Sequence, residues 1–369
     1  FFGKLTPSAR YLKAFALASY PPGVVVRLPA ASDPNRPAKG DERPKLMRTF
    51  EQSARWSRIL HCGSIADLNE LIRGRNIRDF IRVNEALHEK SLADIADQIV
   101  ARGARVVLVA GPSSSGKTTF TNRLAIHLRV NGKRPVMLSL DEYYRDRGET
   151  PLDEEGNPDL ESLDALDVPL LNEQLAQLIA GETVTVPHFD FQIGKSRPGR
   201  TLRLQADQPL LVEGIHGLNP RLSQTLPADA PFRVYISALT TLNLDAHNRT
   251  RTTDVRLMRR IVRDRQFRNS PIERTLSMWP SVRRGEELYI FPYQEMADVM
   301  FNSTLHYELA ILKKYVEPLL KDVAADSPYA PTAQRLQNFL HYVDSADAED
   351  EIGPLSILRE FIGGCTFYT

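Results

Sequence analysis

A glycine- and serine-rich loop that follows an apolar strand has the residue types and spacing of a phosphate-binding loop. Gly111 and Gly116 bracket four residues and are followed by Lys117 and Thr118, the G-x-x-x-x-G-K-[ST] pattern. The backbone N–H groups of such a loop turn inward around an anion, and the helix that follows directs its N-terminal dipole at the same anion. A strand before the loop and an amphipathic helix after it favour this interpretation over a Ser/Gly turn that binds nothing.

The pattern assigns a role to each part of the loop. Lys117 is expected to reach the β- and γ-phosphates of a nucleotide, and Thr118 is expected to place its hydroxyl on Mg²⁺. The predicted nucleotide-binding residues are Gly111, Pro112, Ser113, Ser114, Ser115, Gly116, Lys117, Thr118 and Thr119.

Two carboxylates follow later apolar strands, at the sheet edge where α/β proteins bind ligands. Asp141 ends the predicted strand Pro135–Leu140, and Glu213 comes after four apolar residues. Asp141 can accept a proton from a hydroxyl or lie beside Mg²⁺, and Glu213 has the position of an acid that orders metal or water. The predicted metal ligands are therefore Thr118, Asp141 and Glu213. The alternatives are a helix N-cap for Asp141 and a loop acid for Glu213.

An arginine-rich segment lies between Arg249 and Arg284, with eleven arginines, no lysine and three acidic residues. Four of the arginines share one face of a predicted helix, namely Arg256, Arg259, Arg260 and Arg263. Aligned guanidinium groups repel one another unless an anion lies among them, and their planar fork suits phosphate oxygens. A mobile lid over a nucleotide is favoured over a solvated face or an RNA-binding stripe, because few aromatic residues are interleaved with the arginines.

Two further stretches could hold an acceptor molecule. Phe189 and Phe191 flank Asp190 and could stack on a flat ring, although core packing is the better explanation for the two rings taken alone. Asp164 could receive hydroxyl groups of a sugar, and by itself it is equally well explained as a helix cap. A nucleotide site with a separate acceptor pocket is typical of a small-molecule kinase.

Composition limits the class of protein. The 369 residues carry 47 basic and 46 acidic side chains, so no global charge favours nucleic acid or an anionic membrane. The two cysteines, Cys62 and Cys365, form no C-x-x-C pattern, which indicates reduced thiols in a reducing compartment. No apolar run approaches the roughly 20 residues that span a bilayer. We therefore expect a cytoplasmic protein with no membrane association.

The elements that must position these residues alternate between strand and helix. Apolar strands are predicted at Arg105–Ala110, Pro135–Leu140, Pro209–Gly214, Phe232–Ser237 and Ala297–Met300, with helices at Lys117–Val130, Pro169–Ala180 and Leu305–Leu320. A hairpin is predicted between Thr183 and Leu204. This order predicts an α/β fold of P-loop NTPase type, with a parallel sheet, helices on both of its faces and a small N-terminal α+β appendage.

The front of the chain is predicted to contain a helix at Ser8–Ala18 and a strand at Val24–Leu28, with too few apolar residues for a core of its own. The pattern is helical from Met47 to Val100, with Ser64 and Asp67 as candidate N-caps of the second helix and Ser91 of the last. In this region Trp56, His61 and His88 have no partners at metal or catalytic spacing, which favours core or surface roles.

Six fragments occur in the order seen in the uridine kinase and phosphoribulokinase family, and the chain resembles that family from about Arg105 to Leu320. The resemblance rests on Gly111–Thr119, Ser139–Tyr144, Leu163–Asp167, Val186–Phe191, Glu213–Gly217 and Arg259–Arg265. It implies ATP and Mg²⁺ as cofactors and transfer of the γ-phosphoryl group to a hydroxyl. The implied catalytic residues are Lys117, Asp141, Arg259, Arg263 and Arg265. The implied acceptor-binding residues are Tyr143, Asp164, Phe189, Phe191, Arg197 and His216.

Several positions depart from the uridine kinase pattern. Phe189 stands where uridine kinases have tyrosine, and Gln192–Lys195 replaces an expected histidine. Met278 and Trp279 stand near an expected glutamine. A site without those polar groups does not select uracil in the usual way. The resemblance implies a nucleoside-like acceptor. Because His216 resembles a phosphoribulokinase position, a sugar phosphate remains an alternative acceptor.

Residues 1–100 resemble the front half of bacterial uridine kinase-like proteins, which is similar to the N-terminal domains of threonyl-tRNA synthetase. The resemblance implies a synthetase-like remnant at 1–50 that is cut at Phe1, a helical connector at 51–102, a kinase domain at 103–325 and a C-terminal helix and tail at 326–369. An alternative function is a nucleotide-responsive regulator whose front part binds RNA. The sequence leaves the oligomeric state open, a homo-oligomer included.

Overall fold

The computed structural model describes residues 7–20, 23–30, 32–40, 43–227, 230–240, 242–245 and 248–367. The chain divides into two units, Phe1–Pro44 and Lys45–Thr369. No helix in the described ranges is both long and apolar enough to cross a membrane.

The first unit consists of short antiparallel strands. β1 (Ala16–Tyr20) pairs with β2 (Gly23–Arg27), and β3 (Pro29–Ala30) pairs with β4 (Asp33–Pro37). The predicted strand at Val24–Leu28 is confirmed, whereas the predicted helix at Ser8–Ala18 is wrong. Among the described residues before β1, a 3-10 helix forms at Ala9–Tyr11, and Ala16–Ala18 join β1 because the β-branched residues of β2 offer that stretch a pairing partner. None of the described residues of this unit is buried.

Three helices open the second unit, as the periodicity predicts. They are α1 (Pro44–Ile59), α2 (Ile65–Arg73) and α3 (Ile77–Arg102). Ser64 caps α2 in a capping box with Asp67, which confirms the predicted start of that helix. The predicted N-cap at Ser91 is wrong, because α3 is continuous through this position and the Ser91 hydroxyl donates to the carbonyl of Leu87 instead.

The remaining strands and helices alternate along the chain. They are β5 (Val106–Ala110), α4 (Lys117–Val130), β6 (Val136–Ser139), α5 (Val168–Ile179), β7 (Thr183–Asp190), β8 (Lys195–Arg203), β9 (Leu210–Glu213), β10 (Pro231–Ser237), α6 (Thr252–Arg268), α7 (Ile272–Tyr289), β11 (Val299–Asn302), α8 (Glu308–Lys321), α9 (Ala330–Leu340) and α10 (Arg359–Ile362).

The central sheet contains five parallel strands in the order β11-β10-β5-β9-β6. Because parallel strands cannot be joined by a tight turn, crossover connections link them. β7 and β8 form a separate antiparallel hairpin, as predicted. The α/β fold class with a parallel sheet is therefore confirmed.

The sheet is buried on both faces. Val107 and Val109 of β5 belong to a core shared with α3, α4, α6, α8 and the C-terminal helices, whereas Val106 and Leu108 belong to a core shared with α5 and the β7–β8 hairpin. Successive side chains of a strand point to opposite faces, so this division shows helices on one face and helix plus hairpin on the other.

Strand register places the predicted chemistry at one edge of the sheet. Glu213, the last residue of β9, pairs with Val109 of β5 on one side and with Ser139 of β6 on the other. The carboxyl ends of parallel strands share one edge, so the phosphate-binding loop after β5 and Asp141 after β6 lie on either side of Glu213.

Candidate active site

The loop between β5 and α4 has the backbone geometry that its glycines predict. Gly116 has a φ of +87° and serves as the N-cap of α4, which begins at Lys117. A Cβ on Gly111 would overlap the carbonyl oxygen of Ile236 on the neighbouring strand β10. Glycine is therefore required at both positions, at one by backbone conformation and at the other by close approach.

The predicted metal and phosphate ligands converge on Glu213. The Thr118 hydroxyl donates to Oε1 of Glu213 at 3.4 Å, and the Ser139 hydroxyl donates to the same oxygen at 3.2 Å. Lys117 Nζ donates to the carbonyl of Pro112 at 3.3 Å, so its side chain lies over the loop. Lys117, Thr118 and Glu213, which come from two different strand ends, are thus brought into one cluster.

Burial and like charges change the acidity of this cluster. Burial, reinforced by the negative charge of Asp141, raises the pKa of Glu213 to about 7. Burial also lowers the pKa of Lys117, while the charges of Glu213, Asp141 and Glu360 oppose that shift. Shifts of this kind concentrate at functional sites, because the folded protein holds charges together there.

Asp141 lies on the solvent-accessible wall of the same cleft. Its backbone N–H donates to Ser139 Oγ at 3.3 Å, within a 3-10 turn that Ser139 caps. The alternative prediction of an N-cap role for Asp141 is therefore wrong. Desolvation by the surrounding protein raises the pKa of Asp141, and the positive charges of Lys117 and Arg268 oppose the shift.

The oxygen atoms in this cluster are suitable ligands for a hard divalent cation that is also bound by nucleotide phosphates. Thr118, Ser139, Asp141 and Glu213 offer hydroxyl and carboxylate oxygens, which Mg²⁺ prefers. No group of three or more His, Cys, Asp or Glu residues in the described ranges is arranged to hold a metal by itself. Mg²⁺ is usually held by one or two carboxylates with phosphate and water oxygens, and this donor set matches that pattern.

Helix α6 lies against the phosphate-binding loop through three of the predicted arginines. Arg256 Nη1 donates to the carbonyl of Ser113 at 3.1 Å, and Arg260 Nη1 donates to Ser113 Oγ at 2.9 Å. Arg259 Nη1 donates to the carbonyl of Ser114 at 3.4 Å. The predicted shared face of α6 is therefore the face that contacts the loop.

Two of these arginines are tied to carboxylates inside the protein. Arg256 pairs with Glu286 of α7, and Arg259 pairs with Glu308 of α8, with a separation of 2.6 Å between Arg259 Nη2 and Glu308 Oε2. All four side chains are 0–1% exposed. The buried ion pairs fix these arginines as supports of the loop, so Arg259 holds the loop from outside the cleft.

The other two lid arginines differ in position. Arg263 is mostly buried, and its charge acts on both Lys117 and Asp141. Arg265 is exposed and lies halfway around α6 from Arg256, because nine residues at about 100° each amount to two and a half turns. The structure brings Arg263 to the cleft and does not bring Arg265 there.

An aromatic cluster lies next to Asp141. The ring centroid of Tyr144 is 5.5 Å from that of Phe189 and 5.8 Å from that of Phe191, and the two phenylalanine rings are 4.9 Å apart. Phe189 is buried in the core, whereas Phe191 is 53% exposed. Core packing thus accounts for Phe189, and Phe191 leaves a ring face available at the tip of the hairpin.

The remaining predicted acceptor residues lie at varied positions. Asp164 is exposed and accepts from Arg221 Nη2 at 2.7 Å. Arg197 is exposed on β8, and its nearest carboxylate is that of Asp190 at 3.8 Å. Tyr143 is buried, and its hydroxyl donates to Gln174 Oε1 at 2.7 Å. The structure therefore turns the Tyr143 side chain into the core and away from the cleft.

His216 follows β9 and is almost completely buried. Neither ring nitrogen makes an aligned hydrogen bond, although the backbone of Ser162 and Glu161 lies nearby. Burial lowers the pKa of this imidazole to about 4, so the ring is neutral near pH 7.

Sequence reasoning missed three acidic residues in this region. Glu161 has a pKa raised to about 7 by burial, and the charges of Arg260 and Lys117 act on it. Glu142 accepts from the backbone N–H of Phe189 at 3.1 Å and so anchors the hairpin beside Asp141. Glu360 accepts from the Thr119 hydroxyl at 2.7 Å. Each lies far in sequence from its partner, so no local spacing marks it.

A cavity of about 360 Å³ lies elsewhere, between α1, α3 and β11, and its lining includes Trp56 and His88. None of the phosphate-loop residues lines it. The candidate active site therefore lies outside this cavity.

Comparison with known proteins agrees with this geometry. Residues 106–310 match the model of the phosphoribulokinase/uridine kinase family. A uridine kinase of Staphylococcus haemolyticus is 29% identical over 196 residues, which cover 53% of this chain and 86% of that protein. A uridine kinase of Anoxybacillus flavithermus is 28% identical over 207 residues, which cover 56% of this chain and 89% of that protein.

Among solved structures, one described as a possible uridine kinase from Bacillus stearothermophilus aligns with a TM-score of 0.39 and 22% identity, over 57% of this chain and 98% of that chain. The family match extends from β5 into α8, and so includes the loop, Asp141, Glu213 and α6. Because it covers more than half of the 369 residues, the chain belongs to the phosphoribulokinase/uridine kinase family of small-molecule kinases.

Proposed function

We propose that the protein transfers the γ-phosphoryl group of ATP to a hydroxyl group of a nucleoside-like acceptor. The observation that carries this proposal is the convergence of Lys117, Thr118, Glu213 and Asp141 at one edge of the parallel sheet. The uridine kinase relatives support an acceptor of this class, and the exposed ring of Phe191 beside the cleft supports an acceptor with a flat base.

In the proposed reaction, bound MgATP supplies the phosphoryl group and the cation that neutralises charge on its oxygens. The backbone N–H groups of the loop and Lys117 hold the β- and γ-phosphates. Asp141 accepts the proton of the acceptor hydroxyl while that oxygen bonds to phosphorus and the bond to the ADP oxygen breaks. Lys117 and Arg268 favour the ionised carboxylate of Asp141, which must be unprotonated to act as a base.

The acceptor hydroxyl must lie near Asp141 and on the side of the cleft away from the loop. Asp164 offers an exposed carboxylate for sugar hydroxyls, and Arg221 holds it in place at 2.7 Å. Phe191 offers a face for a base. These residues are our candidates for the acceptor pocket, and the apolar ring of Phe191 as its contact with the base favours broad over strict base selection.

We also propose that residues 1–50 are a threonyl-tRNA synthetase-like segment without synthetase activity, joined by a connector at 51–102 to a kinase domain at 103–325 and a C-terminal region at 326–369. RNA binding by the front part is an alternative that the experiment below can detect.

The test is ADP release from MgATP with single acceptors: the four common ribonucleosides, pentose phosphates and no acceptor. We expect release that depends on a nucleoside and that Lys117→Ala abolishes, because this side chain stabilises the phosphates during transfer. Arg265→Ala is the matched control, since it also removes one cation but from outside the cleft. Release that needs a pentose phosphate would identify a sugar-phosphate kinase, and release that RNA stimulates without any acceptor would identify a nucleotide-responsive regulator.

A further inference from the structure

The C-terminal segment, residues 354–367, lies beyond the family-matched stretch but packs against the phosphate-binding loop. A Cβ on Gly116 would come within 2.6 Å of Ile357 Cγ2. Ile357 is fully buried in the core that also contains residues of α4 and α6. The segment therefore forms part of the wall behind the loop.

Glu360 connects this segment to the first turn of α4. The hydroxyl of Thr119, the third residue of the helix, donates to Glu360 Oε2 at 2.7 Å, and Thr119 is completely buried. The N-terminus of a helix favours an anion, because its first N–H groups lack intrahelical partners. Glu360 thus places a carboxylate at the end of α4 that is built to receive phosphate.

The negative charge of Glu360 acts on the reactive cluster. It favours the charged form of Lys117 against the effect of burial, and it adds to the burial and the Asp141 charge that raise the pKa of Glu213. The charges of three carboxylates therefore act on Lys117, of which two belong to the family-matched stretch and one to the C-terminal segment.

Neighbouring residues fix Glu360 in position. The adjacent residue, Phe361, is fully buried, and the guanidinium carbon of Arg259 lies 5.1 Å from its ring centroid. Gly363 lies beside Gln266 and Phe267 of α6. Because α10 lies against α6 and the Glu360 carboxylate accepts from Thr119 of α4, Glu360 is held next to the phosphate-binding loop.

We propose that Glu360 is a positioning residue of the donor site, whose carboxylate holds the Thr119 hydroxyl and lowers the affinity of the loop for nucleotide phosphates. In the nucleotide-free protein it provides the anion at the N-terminus of α4. When phosphates enter, they meet a like charge. This inference rests on the proposed function, since it requires a nucleotide in the loop.

The test is calorimetric titration of the full chain with MgADP, comparing wild type with Glu360→Gln. The amide keeps an oxygen that can accept from Thr119 but carries no charge. We expect MgADP affinity to rise about 3- to 10-fold, and the gain to shrink as NaCl is raised, because salt screens charge repulsion. Asp347→Asn is the matched control: it also removes one negative charge from the C-terminal part, but at a position 93% exposed and paired with Lys314.

Each outcome decides between the two claims. Equal or weaker MgADP binding by Glu360→Gln, with normal binding by wild type, would overturn this inference and leave the proposed function intact. No MgADP binding by wild type would overturn the proposed function and this inference with it. If the amide variant does not fold, Glu360→Ala gives the same test, since charge and not the hydrogen bond sets the expected gain.

Discussion

The Asp141 side chain is exposed to the cleft, and desolvation by the surrounding protein raises its pKa. A carboxylate in this state is a stronger base than one in free solution, provided that nearby cations keep it ionised. Lys117, Arg263 and Arg268 provide those charges. Asp141 is thus suited to proton transfer, whereas Glu213 beside it is buried and bonded to two hydroxyl groups.

We predict that Asp141→Asn lowers kcat by about 10²- to 10⁴-fold, the usual contribution of a general base, with little change in MgADP affinity. The asparagine keeps the shape of the side chain but cannot take up the proton. Steady-state kinetics with the best acceptor and calorimetric titration with MgADP measure the two effects separately. Equal losses in both would show that Asp141 only binds nucleotide or metal.

Glu213 links the site to stability. Its folded-state pKa of about 7 lies above its ordinary value of 4.5, so the folded protein keeps a proton that the unfolded chain releases. The free energy of unfolding then falls by on the order of 3 kcal/mol as pH rises from 4.5 to 7, for a pKa shift of this size. Above pH 7 the contribution of Glu213 stays constant. The cause is the burial of a charge beside Asp141.

Glu213→Gln removes that titration. We predict that the melting temperature of the variant, relative to wild type, increases between pH 5 and pH 7.5 and then levels off. Thermal unfolding of both proteins across this range, without nucleotide or metal, gives the comparison. A difference that does not depend on pH would show that Glu213 titrates normally.

At the scale of elements, α6 carries two kinds of arginine. Arg256 and Arg259 are buried and support the loop, whereas Arg263 is directed by the helix period toward Lys117 and Asp141. The regular spacing of arginines predicts their shared face, but it does not distinguish support from catalysis. That distinction depends on Glu286 and Glu308, which come from other helices.

We predict that Arg263→Ala lowers kcat by about 10³-fold, because a cation next to the transferred phosphoryl group stabilises the transition state. Arg265→Ala should leave kcat near wild type, since this side chain is exposed on the opposite side of α6. Both variants remove one arginine from the same helix, so kinetics on the pair separate position from net charge. A loss of similar size in both would contradict this arrangement.

The elements of the sheet were predictable because their signals are local. The helix at Lys117–Val130 matches its prediction at both ends, since a glycine N-cap and an Asn-Gly stop mark them. β1 was not predictable, because its conformation depends on pairing with β2. The length of α3 was also not predicted, because serine is a common N-cap residue but Ser91 lies in the interior of this helix.

At the scale of the whole molecule, the donor half of the site was predictable from one loop and two strand ends. The supporting residues were not, because Glu142, Glu161 and Glu360 reach the site only through the fold. The acceptor half of the site was predictable only in part. Phe191 is exposed, and its contact with an acceptor stays a prediction, whereas Tyr143 is bonded to Gln174 in the core.

The core that contains β5 extends beyond the family-matched stretch. α9 and α10 contribute Leu336, Leu340 and Phe361 to the same core as β5, so the second unit is closed by residues that the family match does not include. The phosphate-binding loop therefore contacts α6, which lies in the family-matched stretch, and also the C-terminal segment, which does not.

The most direct test of this account is mass-spectrometric identification of the product formed from MgATP and the acceptor that gives the most ADP. We predict a nucleoside monophosphate in amounts equal to the ADP released, and none with Lys117→Ala. ADP accompanied only by free phosphate, or a doubly phosphorylated sugar in place of a nucleoside monophosphate, would contradict a nucleoside-like acceptor.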